Sequence, residues 1–204
     1  MKILYFITDS TKYADEDAFF EDVFAALRGG VDRIQLREKN LSDEAVYERA
    51  RIIKKEADKY HTPLIIDDRV GVAKKLGVGV HLGDDDMAIK EARAILGRDA
   101  LIGVSVKTVQ RAREAEKEGA SYFGTGALFP TRTKVVTRHT SMDTFRAIKK
   151  SVSVPVYAIG GINEKTLPEL KDEDFDGICV VSAIQYARDP EEAVKNLRAV
   201  LSRM

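Results

Sequence analysis

The chain has 204 residues, enough for one well-formed hydrophobic core and short for two. Acids and bases balance at 33 each, so no basic surplus exists to neutralise a nucleic acid, whereas small phosphorylated ligands need only a few local cations. The single cysteine, Cys179, rules out an intrachain disulfide and reads as a small buried hydrophobe in a protein of a reducing compartment.

The first apolar run, Met1 to Thr8, meets Asp9 at once and is too short for an export signal or a membrane span. A cytoplasmic location with no membrane partner is therefore expected. From there short β-branched runs alternate with longer amphipathic ones. The expected strands are Ile3–Thr8, Arg33–Arg37, Pro63–Asp68, Val78–Leu82, Leu101–Val106, Tyr122–Ala127, Val154–Ile159 and Gly177–Val181. Each is short, apolar and bounded by Gly, Asp, Ser or Pro, as buried parallel strands are. The expected helices are Asp15–Arg28, Ser42–Lys59, Val70–Leu76, Met87–Leu96, Val109–Glu118, Met142–Lys150, Glu164–Lys171 and Pro190–Leu201. Ser42, Thr108 and Asp189 stand where N-caps belong, the last before a proline at the first helical position. An unbroken series of eight strand–helix units predicts a single-domain α/β protein over residues 1–204, a (β/α)8 or TIM barrel.

That fold carries its chemistry at the C-terminal ends of the strands. Alternate strand residues face opposite sides, so in the second unit Gln35, Arg37 and Lys39 share the inward face, opposite Ile34 and Leu36. Two inward cations call for an anion. The third strand ends in Asp67-Asp68 and the fourth runs into Asp84-Asp85-Asp86. One of these last three acids is expected to cap the helix at Met87. The remaining carboxylates suit magnesium, which takes one or two carboxylates plus phosphate oxygens.

On the fifth strand Ser105 and Lys107 point inward by the same parity. The sixth leads through glycines into Thr131-Arg132-Thr133-Lys134, a hydroxyl- and cation-bearing loop. Gly160-Gly161 after the seventh strand and Val181-Ser182 after the eighth form the turn pattern that binds a phosphate in this fold. Two anion sites in one mouth result: a neutral one for a phosphate, and a cationic, metal-assisted one suited to a diphosphate. His81 reads as a packed strand residue, and His139 has no derivable role.

These stretches together resemble the thiamine-phosphate synthase family over nearly the whole chain. The matching segments are Leu4-Tyr5-Phe6-Ile7-Thr8-Asp9, Gln35-Leu36-Arg37-Glu38-Lys39, Asp68-Arg69-Val70, Val80-His81-Leu82-Gly83 and Gly103-Val104-Ser105. They continue with Phe129 to Lys134, Ala158-Ile159-Gly160-Gly161-Ile162 and Val181-Ser182-Ala183-Ile184. The resemblance implies a transferase that joins a pyrimidine diphosphate to a thiazole phosphate by dissociative substitution, releasing diphosphate. It implies that Gln35, Leu36, Arg37, Glu38, Lys39, Ser105 and Lys134 hold the pyrimidine diphosphate, with Arg37, Lys39, Ser105 and Lys134 catalytic, and Asp67 is counted with the substrate-binding residues. Asp68 and Asp86 would carry Mg²⁺, Thr131, Thr133, Gly161, Val181 and Ser182 would hold the thiazole phosphate, and Arg132 and Gly160 are counted with the substrate-binding residues. Assembly into a homo-oligomer is compatible with the sequence. The chain departs from the family pattern at Asp67, where Asn is usual, at Asp84, where Gln is usual, and at Lys107, where His is frequent. Two related readings share the barrel: a thiazole tautomerase relative, which tends to use that histidine, and a non-catalytic thiamine phosphate-binding protein.

Overall fold

A computed structural model of the chain describes residues 1–131 and 139–204. The strands are β1 (Ile3–Ile7), β2 (Arg33–Leu36), β3 (Leu64–Asp67), β4 (Gly79–Leu82), β5 (Ile102–Ser105), β6 (Tyr122–Thr125), β7 (Val156–Ile159) and β8 (Gly177–Val180). All pairs are parallel and β8 pairs with β1, closing a (β/α)8 barrel in strict chain order. Around it lie α1 (Glu16–Gly29), α2 (Asp43–Ala57), α3 (Val70–Leu76), α4 (Ile89–Leu96), α5 (Val109–Lys117), α6 (Met142–Ser151), α7 (Ser182–Gln185) and α8 (Pro190–Leu201). Among the described residues, no helix is long and apolar enough to cross a membrane.

Local chemistry explains most helix starts. The side chains of Asp15, Ser42, Thr108, Ser141 and Asp189 each accept a hydrogen bond from a backbone N–H in the first turn of the helix that follows. Two expectations fail. No acid caps α4: the position before it is Ala88, with no side-chain cap, because the Asp86 carboxylate accepts instead from the Gly83 N–H at 2.5 Å. The helix expected over Glu164–Lys171 shrinks to a 3-10 turn, Leu167–Leu170. Pro168 has no N–H for an α-helical ladder, and Asn163 draws the Lys165 and Thr166 N–H groups into a side-chain turn.

Strand alternation divides the apolar residues into two layers. Leu4, Phe6, Ile34, Leu36, Ile66, Val80, Ile102, Val104, Phe123, Ala158 and Ile178 face the helices and join one continuous cluster with their buried stripes. At roughly 1.5–3 kcal/mol for each large apolar side chain fully removed from water, this outer layer dominates the stability of the fold. The barrel interior is smaller and partly polar, built on Tyr5, Ile7, Ile65, Tyr122, Tyr157 and Cys179. The Tyr122 and Tyr157 rings lie 5.2 Å apart, and the Arg33 guanidinium lies 4.9 Å from the Tyr122 ring at the lower end. Burial pushes the Cys179 thiol well above its ordinary value, so this cysteine is an inert interior group.

Candidate active site

The C-terminal ends of the strands open into a cavity of about 400 Å³. Gln35, Arg37, Lys39, Asp67, Asp68, Asp86, Ser105, Thr131, Gly160, Gly161, Val181 and Ser182 all line it. One mouth therefore gathers residues from β2, β3, β4, β5, β6, β7 and β8 or the loops after them.

Parity governs the β2 segment as expected, and it turns the side chains of Leu36 and Glu38 away from the mouth. Leu36 is fully buried in the outer layer, and the Glu38 carboxylate turns away from the mouth. It accepts from Ser10 Oγ at 2.6 Å and from Arg49 Nη1 at 2.7 Å. Neither side chain faces the cavity, and the Glu38 carboxylate anchors α2 to the loop after β1. Arg69 likewise leaves the mouth and ties down the β2–α2 connection, donating to the carbonyls of Glu38 at 2.9 Å and Leu41 at 2.7 Å. This bracket braces the loop that carries Lys39.

The charged side of the mouth is internally paired. Lys39 Nζ lies 2.7 Å from Asp67 Oδ2 and also contacts Asp68, while Arg37 Nε is 3.7 Å from Asp67 Oδ2. Asp67, which departs from the family pattern, is only 8% exposed and serves as counter-ion to both cations. Burial, then the Asp68 charge, raises its carboxyl above the ordinary range despite Lys39 and Arg37. Burial lowers Lys39, but Asp67 and Asp68 outweigh it and raise the ammonium overall.

Asp68 holds a left-handed backbone, φ 62°, a conformation that Asp tolerates better than most residues, and its carboxyl meets that of Asp86. Burial pushes Asp68 up, yet hydrogen bonds from Lys39 and Asp86 win and hold it below the ordinary range. Asp86 is raised, by burial first and then by Asp68. Two carboxyls in contact must share a proton or a cation. Among the described residues no group of three or more His, Cys, Asp or Glu could hold a metal ion by itself. The donor set thus fits a Mg²⁺ that takes two protein carboxylates and finds its other oxygens on phosphate and water.

Across the mouth the backbone takes over. Gly160 and Gly161 have φ of 94° and 68°, where a side chain is strained. They are also crowded: a Cβ on Gly161 would lie 2.5 Å from the Pro130 carbonyl oxygen. Leu128 N–H and Phe129 N–H donate to the carbonyls of Ile159 and Gly160, both at 3.0 Å, so the loop after β6 lies on the β7 turn and brings Thr131 to the cavity. Ser182 opens the short helix α7 beside them. Arg132, Thr133 and Lys134 lie outside the described residues. His139 is exposed, two residues before the Ser141 cap of α6.

His81 corrects a further expectation. It is a lining residue, with Nε2 3.0 Å from Ser105 Oγ. The alternation of β4 carried the signal, since Val80 and Leu82 face the helices and leave residue 81 to the barrel. Lys107 and Asp84, the other departures from the family pattern, also reach the mouth.

Known proteins resemble this chain over nearly its whole length. A family model described as thiamine monophosphate synthase matches residues 4–184. A Clostridium tetani protein named thiamine-phosphate synthase is 42% identical over 197 residues, covering 95% of this chain and 93% of the relative. A Methanobrevibacter smithii protein of the same name is 40% identical over 195 residues, covering 95% and 92%. The solved structure of a thiamine phosphate pyrophosphorylase from Pyrococcus furiosus superposes with a TM-score of 0.88 at 38% identity, covering 98% of this chain and 95% of that one. A 3-hexulose-6-phosphate synthase structure, 20% identical with a TM-score of 0.73, shares the fold alone. With a family model over residues 4–184, relatives about 40% identical over nearly the whole chain and a superposable barrel, the chain belongs to the thiamine monophosphate synthase family.

Proposed function

We propose that this transferase, a thiamine-phosphate synthase, joins its substrates by a dissociative substitution run from the two sides of the one mouth. The substrates are 4-amino-2-methyl-5-(diphosphooxymethyl)pyrimidine and 4-methyl-5-(2-phosphooxyethyl)thiazole. The bond between the pyrimidine methylene carbon and the diphosphate oxygen breaks, and its electron pair leaves with the diphosphate. The aminopyrimidine ring stabilises the resulting cation, and the thiazole nitrogen donates its lone pair to form the new C–N bond. No proton changes hands in these steps, which agrees with a mouth rich in charge.

The observation that carries this reading is the placement of Arg37, Lys39 and the Asp68–Asp86 pair on one rim, facing Gly160-Gly161 and Val181-Ser182 on the other. Arg37 and Lys39 receive the developing negative charge of the leaving group, and Ser105 donates a hydrogen bond beside them. Fixed donors of this kind contribute roughly 10²–10³ in rate each. Mg²⁺ held by Asp68 and Asp86 would neutralise further diphosphate charge. Asp67 keeps the two cations together before the substrate arrives, and the diphosphate must then compete with it for them. The backbone N–H groups of the opposite rim bind the thiazole phosphate and set its nitrogen against the methylene carbon.

The test is direct. Supplied with both precursors and Mg²⁺, the protein should release thiamine phosphate and diphosphate one for one. No product under those conditions, or equal turnover with the metal chelated, contradicts the reading.

A further inference from the structure

Beneath the mouth, polar groups cross the barrel interior in one line. Gln35 Nε2 donates to Tyr5 Oη at 2.8 Å, and Tyr5 Oη meets Tyr122 Oη at 2.9 Å. Tyr122 Oη meets His81 Nδ1 at 3.4 Å, and His81 Nε2 meets Ser105 Oγ at 3.0 Å. Gln35 and Ser105, the two ends, line the cavity, while Tyr5 and Tyr122 are buried beneath it. The packing is built for the phenol: a Cβ on Gly103 would lie 2.2 Å from Tyr122 Oη, so only glycine there admits it.

Such a line has a direction. Nε2 of Gln35 is a donor only, so Tyr5 Oη accepts and passes its own hydrogen to Tyr122. Tyr122 then donates to His81 Nδ1, which must be bare, so Nε2 bears the ring proton and donates to Ser105 Oγ. The Ser105 hydroxyl hydrogen is left for the cavity, and so is the Gln35 amide oxygen. Burial holds both phenols well above their ordinary value, so each keeps the hydrogen it passes on.

We propose that Tyr5, Tyr122 and His81 are positioning residues whose hydrogen-bond chain fixes Gln35 as an acceptor and Ser105 as a donor toward the pyrimidine diphosphate. The inference deepens the synthase reading and rests on it. An aminopyrimidine offers N–H, and a diphosphate offers anionic oxygen. The chain presents the complement of each, whereas the reverse direction would present a donor at Gln35.

Two measurements test it. The chain has three histidines, His61, His81 and His139, so long-range ¹⁵N NMR of the imidazoles in the intact wild-type protein can read the His81 tautomer. The proton should reside on Nε2; residence on Nδ1 overturns the proposal without any variant having to fold. In steady-state kinetics, Tyr122→Phe and Tyr5→Phe should each lower kcat/KM for the pyrimidine diphosphate roughly tenfold to a hundredfold, with KM for the thiazole phosphate held within about twofold. The double variant should be no worse than the poorer single one, because one break already frees the ends. Effects that multiply, equal losses for both substrates, or unchanged pyrimidine kinetics in a folded variant contradict it. A wild-type protein without turnover would sink the synthase reading, while the His81 tautomer would still decide the direction of the chain.

Discussion

Lys39 sits at the junction of stability and chemistry, and replacing it with methionine separates the two. Its ammonium lies 2.7 Å from Asp67, whose side chain is 8% exposed, while Lys39 itself is 45% exposed. Breaking a fully buried ion pair costs about 3–5 kcal/mol, and losing an exposed one costs about 0–1 kcal/mol. With one partner buried and the other half in solvent, Lys39→Met should cost about 2 kcal/mol, or roughly 4–8 °C in melting temperature for a chain of this size. Much of that cost comes from Asp67, left among the described residues with Arg37 at 3.7 Å. In an Asp67→Asn background the same substitution should therefore cost about half as much, a coupling of about 1 kcal/mol. Urea denaturation of the four proteins at neutral pH, without ligands, measures it. Turnover behaves differently: Lys39→Met should lower kcat by roughly 10²–10³ in either background, because Asp67→Asn restores no charge to the leaving group. The reasoning fails if the denaturation cost is the same in both backgrounds, or if Asp67→Asn rescues turnover along with stability.

Asp68→Asn keeps a residue type that tolerates the φ of 62° and removes the charge. It should abolish magnesium-dependent turnover while calorimetry shows thiazole phosphate binding nearly unchanged. Because the Asp67 carboxyl is raised, the native state holds its proton more tightly than the unfolded chain does. Its contribution to stability is complete below the ordinary carboxylate range and is lost as pH rises through the raised value. Asp67→Asn should thus be at least as stable as wild type at neutral pH, with the difference vanishing in acid; melting curves across that window check the sign. Gly161→Ala must place a Cβ 2.5 Å from the Pro130 carbonyl oxygen at φ 68°. It should cost about 1–3 kcal/mol in denaturation and weaken the thiazole phosphate more than the pyrimidine diphosphate.

The barrel was legible because eight short apolar runs alternate with capped amphipathic helices, a local pattern that needs no knowledge of tertiary contacts. The cationic rim was legible for the same reason: strand parity alone separates Gln35, Arg37 and Lys39 from Leu36 and Glu38. The same parity sends Leu36 outward, and Glu38 with it, although both lie in a segment that matches the family. It also turns His81, between the outward Val80 and Leu82, toward the barrel, where a packed strand residue was expected. The capping role expected of the acids before α4 failed because Asp86 had a nearer backbone donor in Gly83. The Tyr5–Tyr122 contact joins residues 117 positions apart across the barrel. Its existence depends on how far the strands are staggered on closure, which no local pattern encodes.

Diffraction from crystals grown with diphosphate and Mn²⁺, whose anomalous signal marks the metal, tests the central claim most directly. The account expects one metal peak between the Asp68 and Asp86 carboxylates, with the diphosphate on it and drawn to Arg37 and Lys39 in place of Asp67. Diphosphate seated on the Gly160–Gly161 rim, or metal bound away from the two carboxylates, would contradict it.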